Sequence, residues 1–183
     1  MSWEQIWERK GRENTTNLQL LDGFEKTHIN MEKVGEYIRK ILRIEERDYV
    51  LEIGCGAGFL AQYIAPYCKY TGIDKSKTLL EKHRALLNNL VYECDANDLI
   101  FENKYFDKSF SYSVFHHFPN KDYMNQVLNE MKRVTKKKIF IGDIPANSED
   151  SSHLLYSYND FKGKINKKFC SNKNRFNVVI ERI

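Results

Sequence analysis

Residues 49–58 read YVLEIGCGAG, and this stretch decides how the rest of the chain is interpreted. A short apolar run, typical of a buried parallel strand, leads into three glycines at alternate positions, Gly54, Gly56 and Gly58. Because glycine has no Cβ atom, a ligand can lie directly against the backbone of such a turn. Residues 59–65 then predict a helix whose N-terminus, with its free N–H groups, faces that ligand. The stretch therefore predicts a strand, a ligand-binding loop and a helix.

The alternation of strands with helices continues as far as residue 143. Further strands are predicted at residues 69–74, 90–95, within 106–118 and at 137–143, and helices at residues 77–87 and 122–134. A chain that alternates in this way predicts a parallel sheet with helices on both faces. Beyond this part, the segments 165–170 and 175–183 predict two more strands, joined by the turn-forming residues SNKN.

The residues before this core carry helical patterns. Trp3 and Trp7 fall at helical spacing, and the apolar positions between residues 34 and 42 repeat with the period of a helix packed on one face. We therefore predict one compact domain in two parts. Residues 1–48 form a helical segment that covers the ligand cleft, and residues 49–183 form the core.

The composition of the 183 residues is that of an ordinary globular domain, with 42% hydrophobic and 30% charged residues. A net charge of +4 is too small to indicate a nucleic-acid partner by itself. No apolar run approaches the roughly 18 residues of a membrane span. The polar N-terminus has no apolar stretch of the kind found in secretory signals, so we expect a cytoplasmic protein. The sequence does not predict an oligomeric state.

The cysteines do not form a recognisable motif. No two of them have CxxC spacing, and no pair of histidines has the spacing of a zinc finger. We therefore expect reduced thiols and no metal site. The four residues are Cys55, Cys68, Cys94 and Cys170.

Asp74, which ends the second predicted strand, is the acidic partner of the glycine loop. An acidic group about 20 residues after such a loop can bind both ribose hydroxyls of a nucleotide cofactor. Two cofactor classes fit the loop. Residues 56–61 match the G-x-G-x-x-A pattern of dinucleotide-binding proteins, which would make the protein an NAD-binding oxidoreductase. The pattern E-x-G-x-G-x-G matches in full from Glu52 to Gly58 and adds an acidic residue before the loop.

Five segments, in the order in which they follow one another along the chain, resemble motifs of the class I S-adenosylmethionine-dependent methyltransferases, near the small type 11 group. They are VLEIGCGAGFLAQYI, YTGIDKS, YECDANDLIF, FDKSFSYSVFHHF and NEMKRVTKKKIFIGD, which together span most of residues 49–143. The resemblance implies S-adenosyl-L-methionine as the cofactor and methyl transfer as the activity. It also implies an α/β fold, in which a Rossmann-like sheet of seven mostly parallel strands has helices on both faces and an antiparallel last strand.

The resemblance also implies which residues hold the cofactor. Asp74 would bind the ribose, Asp95 would meet the adenine amino group, and Ala96 would offer its backbone N–H. The complete set of cofactor-binding residues implied in this way is Glu52, Gly54, Cys55, Gly56, Gly58, Asp74, Lys75, Asp95, Ala96 and Ser111.

Three further residues are candidates for catalysis. His116 and His117 follow the fourth strand, and Asp143 ends the fifth, so all three belong to the carboxyl edge where sites of such sheets lie. A histidine with an ordinary pKa near 6.5 can deprotonate an oxygen acceptor at neutral pH. Activity would then rise with pH through one ionisation between about 6 and 7. Asp143 is a second candidate for the base or for a contact with the acceptor.

The acceptor is predicted only as a class. Resemblance to short enzymes of surface-polysaccharide gene clusters implies a sugar hydroxyl, or a group attached to a sugar. Nucleic acid is disfavoured, because residues 113–116 read SVFH where DNA amino-methyltransferases of this fold carry an Asn/Asp/Ser-Pro-Pro-aromatic motif. Only 40 residues follow Asp143, which leaves a non-catalytic S-adenosylmethionine-binding module as an alternative beside the NAD-binding oxidoreductase.

Overall fold

The computed structural model describes residues 2–146 and 153–182. The N-terminal segment contains helices α1 (Trp3–Gly11), α2 (Leu18–Leu21) and α3 (Met31–Leu42). The core contains β1 (Tyr49–Ile53), β2 (Lys69–Asp74), α4 (Lys77–Leu87), β3 (Val91–Glu93), β4 (Phe106–Tyr112), α5 (Lys121–Val134), β5 (Thr135–Pro145), β6 (Lys164–Asn166) and β7 (Arg175–Glu181). None of the described helices is long and apolar enough to cross a membrane.

The longer helices begin where the sequence supplies a capping side chain. Ser2, Asn30, Ser76 and Asn120 each accept a hydrogen bond from a backbone N–H in the first turn of the helix that follows. Those N–H groups have no partner within the helix itself, so each cap fixes the residue at which the helix starts.

The strands form one sheet in the order β3-β2-β1-β4-β5-β7-β6. The first five strands pair in parallel, whereas β7 runs antiparallel to both β5 and β6. The predicted fold class, with its antiparallel last strand, is therefore confirmed. The usual dinucleotide-binding sheet has the order 3-2-1-4-5-6. Insertion of β7 beside β5 distinguishes this sheet from it.

Both faces of the sheet are buried, because alternate side chains of a strand point to opposite sides. Leu51 and Ile53 of β1 belong to the apolar cluster that contains the inner face of α5. Val50, the residue before Leu51, belongs to the cluster that contains α3. This arrangement explains why the strands have continuous apolar sequences.

The segment after the glycine loop differs from the prediction of a helix over residues 59–65. It forms two short 3₁₀ turns, Ala61–Tyr63 and Ala65–Tyr67. Gly58 has φ of +100°, which is outside the helical region, and Pro66 cannot donate a backbone hydrogen bond. Too few residues remain between these two positions for a stable α-helix.

Helix α1 is attached to the start of α4. The carboxylate of Glu8 accepts a hydrogen bond of 2.8 Å from the Ser76 hydroxyl, and the Glu8 carbonyl accepts one of 2.7 Å from the Thr78 hydroxyl. A Cβ atom on Gly11 would lie only 2.3 Å from Oγ1 of Thr78, so the two helices approach at a glycine. These contacts hold the N-terminal segment beside the carboxyl edge of the sheet.

Candidate active site

A large cavity lies at the carboxyl edge of the parallel strands. Its volume is about 780 Å³, within the roughly 300–1,000 Å³ typical of small-molecule sites. One wall comes from the N-terminal segment, with Trp3, Trp7 and Asp22, and the others from the loops after β1, β2, β4 and β5. Ten of the thirteen predicted site residues line it: Glu52, Gly54, Cys55, Gly56, Asp74, Lys75, Ala96, His116, His117 and Asp143.

Asp22, at the C-terminal end of α2, binds the glycine loop through its side chain. Its carboxylate accepts hydrogen bonds from the backbone N–H groups of Ala57, Gly58 and Phe59, at 2.6, 3.0 and 2.7 Å. Successive backbone N–H groups that converge in this way form an anion-binding concavity. The loop thus has the predicted affinity for a negative group, but a carboxylate of the protein itself engages it.

No local sequence pattern marks Asp22 as a site residue. Residues 22 and 57–59 are far apart in the chain, and the Asp-Gly pair at residues 22–23 indicates only a turn. Burial raises the pKa of Asp22 to about 7, although the three N–H donors act in the opposite direction. The negative charge of nearby Asp74 also raises it.

This raised pKa predicts a pH-dependent stability. The folded protein holds the Asp22 proton more tightly than the unfolded chain, whose aspartates titrate near 3.9. The contribution to stability is therefore fully present below about pH 4 and is lost as the pH rises through 7. We expect the melting temperature of the wild type to fall relative to that of Asp22→Asn between pH 5 and 8. A difference that stays constant over this range would contradict the assignment.

Asp74 and Glu52 lie on either side of the loop. Asp74 accepts hydrogen bonds from the backbone N–H groups of Gly56, at 2.9 Å, and Ser76, at 2.8 Å. The Asp74 carboxylate retains lone pairs that can accept hydrogen bonds from hydroxyl groups in the cavity. Glu52 is buried and accepts a hydrogen bond from the hydroxyl of Tyr70. Burial raises the pKa of Glu52 well above its usual range.

Three residues that were predicted together as cofactor ligands, Lys75, Asp95 and Ala96, do not all reach the cavity. Ala96 and Lys75 line the cavity, whereas Asp95 is not among the lining residues. The Asp95 carboxylate instead accepts hydrogen bonds from Tyr123 and, at 2.9 Å, from Lys75. Burial acts to raise the pKa of Asp95, but these two hydrogen bonds outweigh it and lower the pKa below its usual range.

Two more predicted residues do not line the cavity. Ser111 is fully buried in β4 and donates to the carbonyl of Ile53 at 3.0 Å, because its side chain points toward the neighbouring strand. A Cβ atom on Gly58 would meet Leu87 at 2.5 Å and His83 at 3.0 Å. Gly58 is therefore needed for the approach of α4 to the loop. The structure does not bring Ser111 or Gly58 to the ligand side.

His116 and His117 line the cavity from the 3₁₀ turn Phe115–His117, next to His153. Their ring centroids are 3.9 Å apart, and Trp3 packs on His117 at 4.2 Å. Burial lowers the pKa of His117 to about 3, and the nearby charges of His153 and Arg175 lower it further. Burial also lowers the pKa of His116 well below its usual range. The ordinary histidine pKa expected from the sequence is therefore wrong.

Asp143 is buried at the end of the cavity, with φ of +60°. Its carboxylate accepts hydrogen bonds from the Ser113 hydroxyl, the Ser171 backbone N–H and hydroxyl, and the guanidinium of Arg175, at 2.7–3.0 Å. A carboxylate offers about four lone-pair sites, so this one is saturated. Asp143 is thus placed to fix Arg175 and two loops, not to accept a proton.

A family model described as a methyltransferase domain, of type 11, matches residues 51–141, about half of the chain. The match begins in β1, includes the glycine loop and Asp74, and ends in β5. The matched residues therefore include the glycine loop and Asp74, which line the cavity.

Solved structures resemble both the core and the whole chain. The PH0226 protein of Pyrococcus horikoshii is 28% identical, with a TM-score of 0.56 over 61% of this chain and 51% of that chain. This chain thus matches only about half the length of that protein. The N-methyltransferase NodS of Bradyrhizobium japonicum, solved with S-adenosyl-L-homocysteine, has a TM-score of 0.74 at 16% identity, and the alignment covers 97% of each chain.

A SAM-dependent methyltransferase of Methanosarcina mazei is 14% identical, with a TM-score of 0.66 over 79% of this chain and 97% of that chain. At such low identity, the last two likenesses show the fold alone. Together, the matched domain, the order of the seven strands and the position of the glycine loop and Asp74 give one assignment. The chain belongs to the class I S-adenosylmethionine-dependent methyltransferases.

Proposed function

We propose that this protein transfers the methyl group of S-adenosylmethionine to a small, oxygen-bearing acceptor. One observation carries the proposal. A single cavity is lined both by the glycine loop with Asp74 and by His116, His117 and Arg175. A donor held by the first group, the cofactor end, and an acceptor held by the second, the acceptor end, would share one space, which methyl transfer requires.

The cofactor end fits S-adenosylmethionine by its chemistry. In this proposal Asp74 receives the ribose hydroxyls, and the backbone N–H of Ala96, a residue that lines the cavity, would receive the adenine. Asp22, Glu52 and Asp74 place three carboxyl groups around the glycine loop. Burial raises the pKa of all three, and a ligand that carries positive charge, as S-adenosylmethionine does, would favour their ionised forms. When bound, this cofactor supplies a methyl group already activated by its sulfonium.

The residues of the acceptor end would align the acceptor with the methyl group. Holding two reactants in line can lower the activation barrier by roughly 7–11 kcal/mol. Asp143 fixes Arg175, whose Nη1 atom is 3.4 Å from Nδ1 of His116. The lowered pKa values of His116 and His117 keep both of these histidines neutral at pH 7. We therefore propose that they orient a hydroxyl group as hydrogen-bond acceptors, and that neither acts as a strong base.

We further propose a sugar hydroxyl, or a group on a sugar, as the acceptor, and a cytoplasmic location for the reaction. In this proposal, residues 1–48 cover the cofactor from above. Aromatic residues of that segment, Trp3 and Trp7, would then form the roof over both ligands. Oxidation with NAD is the weaker proposal, because β7 lies beside β5 and the order of the strands departs from the usual dinucleotide-binding sheet.

The test is turnover to S-adenosylhomocysteine with a panel of nucleotide sugars, free sugars and small hydroxyl compounds. We expect S-adenosylmethionine to raise the melting temperature, NAD to leave it unchanged, and one class of acceptor to give product. Binding without turnover on any acceptor would favour the non-catalytic module. Stabilisation by NAD alone would contradict the assignment of the cofactor.

Replacing the histidines should separate acceptor alignment from cofactor binding. His116→Asn and His117→Asn each remove a neutral nitrogen at the acceptor end. A lost hydrogen bond of about 1.5 kcal/mol corresponds to a rate loss of roughly tenfold. We therefore expect turnover to fall by at least that factor, while the Kd for S-adenosylmethionine stays within about twofold. Near-normal turnover in both variants would remove the histidines from the acceptor site.

A further inference from the structure

We propose that His116, His117 and His153 form a binding site for a divalent transition-metal ion of the Zn²⁺ class, at the acceptor end of the cavity. Each side chain offers a ring nitrogen, and these nitrogen atoms all lie within 4.8 Å of one another. Imidazole nitrogen is a preferred ligand of Zn²⁺. Three protein ligands with a fourth position left open is the arrangement found in catalytic zinc sites.

The ring nitrogen atoms of the cluster, which lie within 4.8 Å of one another, are loosely grouped compared with those of a filled site. Of the three rings, His117 and His153 are farthest apart, with centroids separated by 5.8 Å. With Zn–N bonds of about 2.0–2.1 Å, the nitrogens of a tetrahedral site lie about 3.4 Å apart. His153 lies outside the helices and strands, so its side chain can close this distance without breaking the hydrogen bonds of the sheet.

One nitrogen atom of the cluster has no hydrogen-bond partner among the described residues. Nδ1 of His117 is buried and accepts no hydrogen bond from them. Buried polar atoms normally have a partner, because leaving one unpaired is costly. An ion would provide that partner.

The surroundings hold the rings in place and compensate charge. Trp3 stacks on His153, with ring centroids 5.5 Å apart, and packs against His117 in a tilted arrangement at 4.2 Å, which gives the site an apolar cover. Arg175 lies close by, with its Nη1 atom 3.4 Å from Nδ1 of His116. The Asp143 carboxylate, 3.0 Å from this guanidinium, reduces the repulsion that a cation in the cluster would meet from Arg175.

The ion would change how the acceptor is activated, and this part of the inference rests on the proposed function. A hydroxyl oxygen in the open position would bind the ion, and its proton would pass to solvent water because a metal ion lowers the pKa of a bound O–H group. The oxygen would then attack the methyl carbon with no protein base, and the O–CH₃ bond would form as the S–CH₃ bond of S-adenosylmethionine breaks and S-adenosylhomocysteine leaves. His116 and His117 would hold the metal instead of contacting the acceptor directly.

The experiment measures metal binding directly, on protein without a histidine tag and first treated with a chelator. Zn²⁺ alone is titrated by calorimetry, and Co²⁺ alone is followed by its visible absorption. His153→Ala is the first variant, because His153 lies outside the sheet, and His117→Ala is the second. His28→Ala is the matched control, since His28 is exposed and is not part of the cluster.

We expect one ion per wild-type chain, Kd values raised more than about 100-fold in both cluster variants, and wild-type binding in His28→Ala. Failure of the wild type to bind Zn²⁺ at micromolar concentrations, or unchanged binding in His153→Ala and His117→Ala, would overturn the metal site even if methyl transfer occurs. Tight binding that the cluster variants lose would support the site even if every acceptor failed. The metal site and the proposed function can therefore fail separately.

Discussion

Replacing Gly56 with valine is expected to abolish S-adenosylmethionine binding in a protein that still folds. Gly56 has φ of +51°, a region that a β-branched residue rarely adopts. A Cβ atom there would lie 2.4 Å from Oδ1 of Asp22 and 2.9 Å from its Cγ. The valine must therefore displace either the loop or Asp22, and backbone strain adds about 1–3 kcal/mol. Calorimetry should detect no binding at concentrations well above the wild-type Kd.

Two further variants distinguish backbone strain from the contact with Asp22 as the cause of the lost binding. Asparagine tolerates a positive φ better than valine, so Gly56→Asn reduces the strain but keeps the contact with Asp22, and we expect it to bind poorly too. The double variant Asp22→Ala/Gly56→Ala removes the contact with the Asp22 carboxylate. If this double variant binds the cofactor normally, Gly56 serves only the packing of Asp22 and does not cradle the ligand. Thermal unfolding should show that each variant is folded.

Asp74→Ala should weaken S-adenosylmethionine binding by more than tenfold. The change removes the carboxylate expected to bind the ribose and also the acceptor for the backbone N–H groups of Gly56 and Ser76. A lost hydrogen bond to a charged group costs about 1.5–3 kcal/mol, a factor of roughly 10–150 in affinity. The Kd from calorimetry is the measurement, with the melting temperature as the check on folding.

Glu93→Ala is the matched control for this prediction. Glu93 pairs with Asp74 in the register of β2 and β3, so it occupies the same level of the sheet. It is exposed and is not among the residues that line the cavity. We expect its Kd to match that of the wild type. A folded Asp74→Ala protein with unchanged affinity would show that another residue binds the ribose.

Local sequence patterns were sufficient to predict the succession of strands and helices along the core, the glycine loop and the position of Asp74. These features depend on local patterns, because apolar period, glycine spacing and capping residues act within a few residues of the chain. The one helix that was predicted wrongly, over residues 59–65, shows the limit of such patterns. There Gly58 adopts a positive φ and Pro66 removes a donor, so two short turns form instead.

The surroundings of these elements depend on the tertiary structure. It brought Asp22 to the N–H groups of the glycine loop, Arg175 to Asp143, and His153 to the histidines that follow β4. It also buried those histidines, and burial lowers their pKa from the ordinary value that the sequence suggested. Contacts and burial of this kind join segments that are distant in the chain. They arise from how the whole chain packs, so no local pattern of residues encodes them.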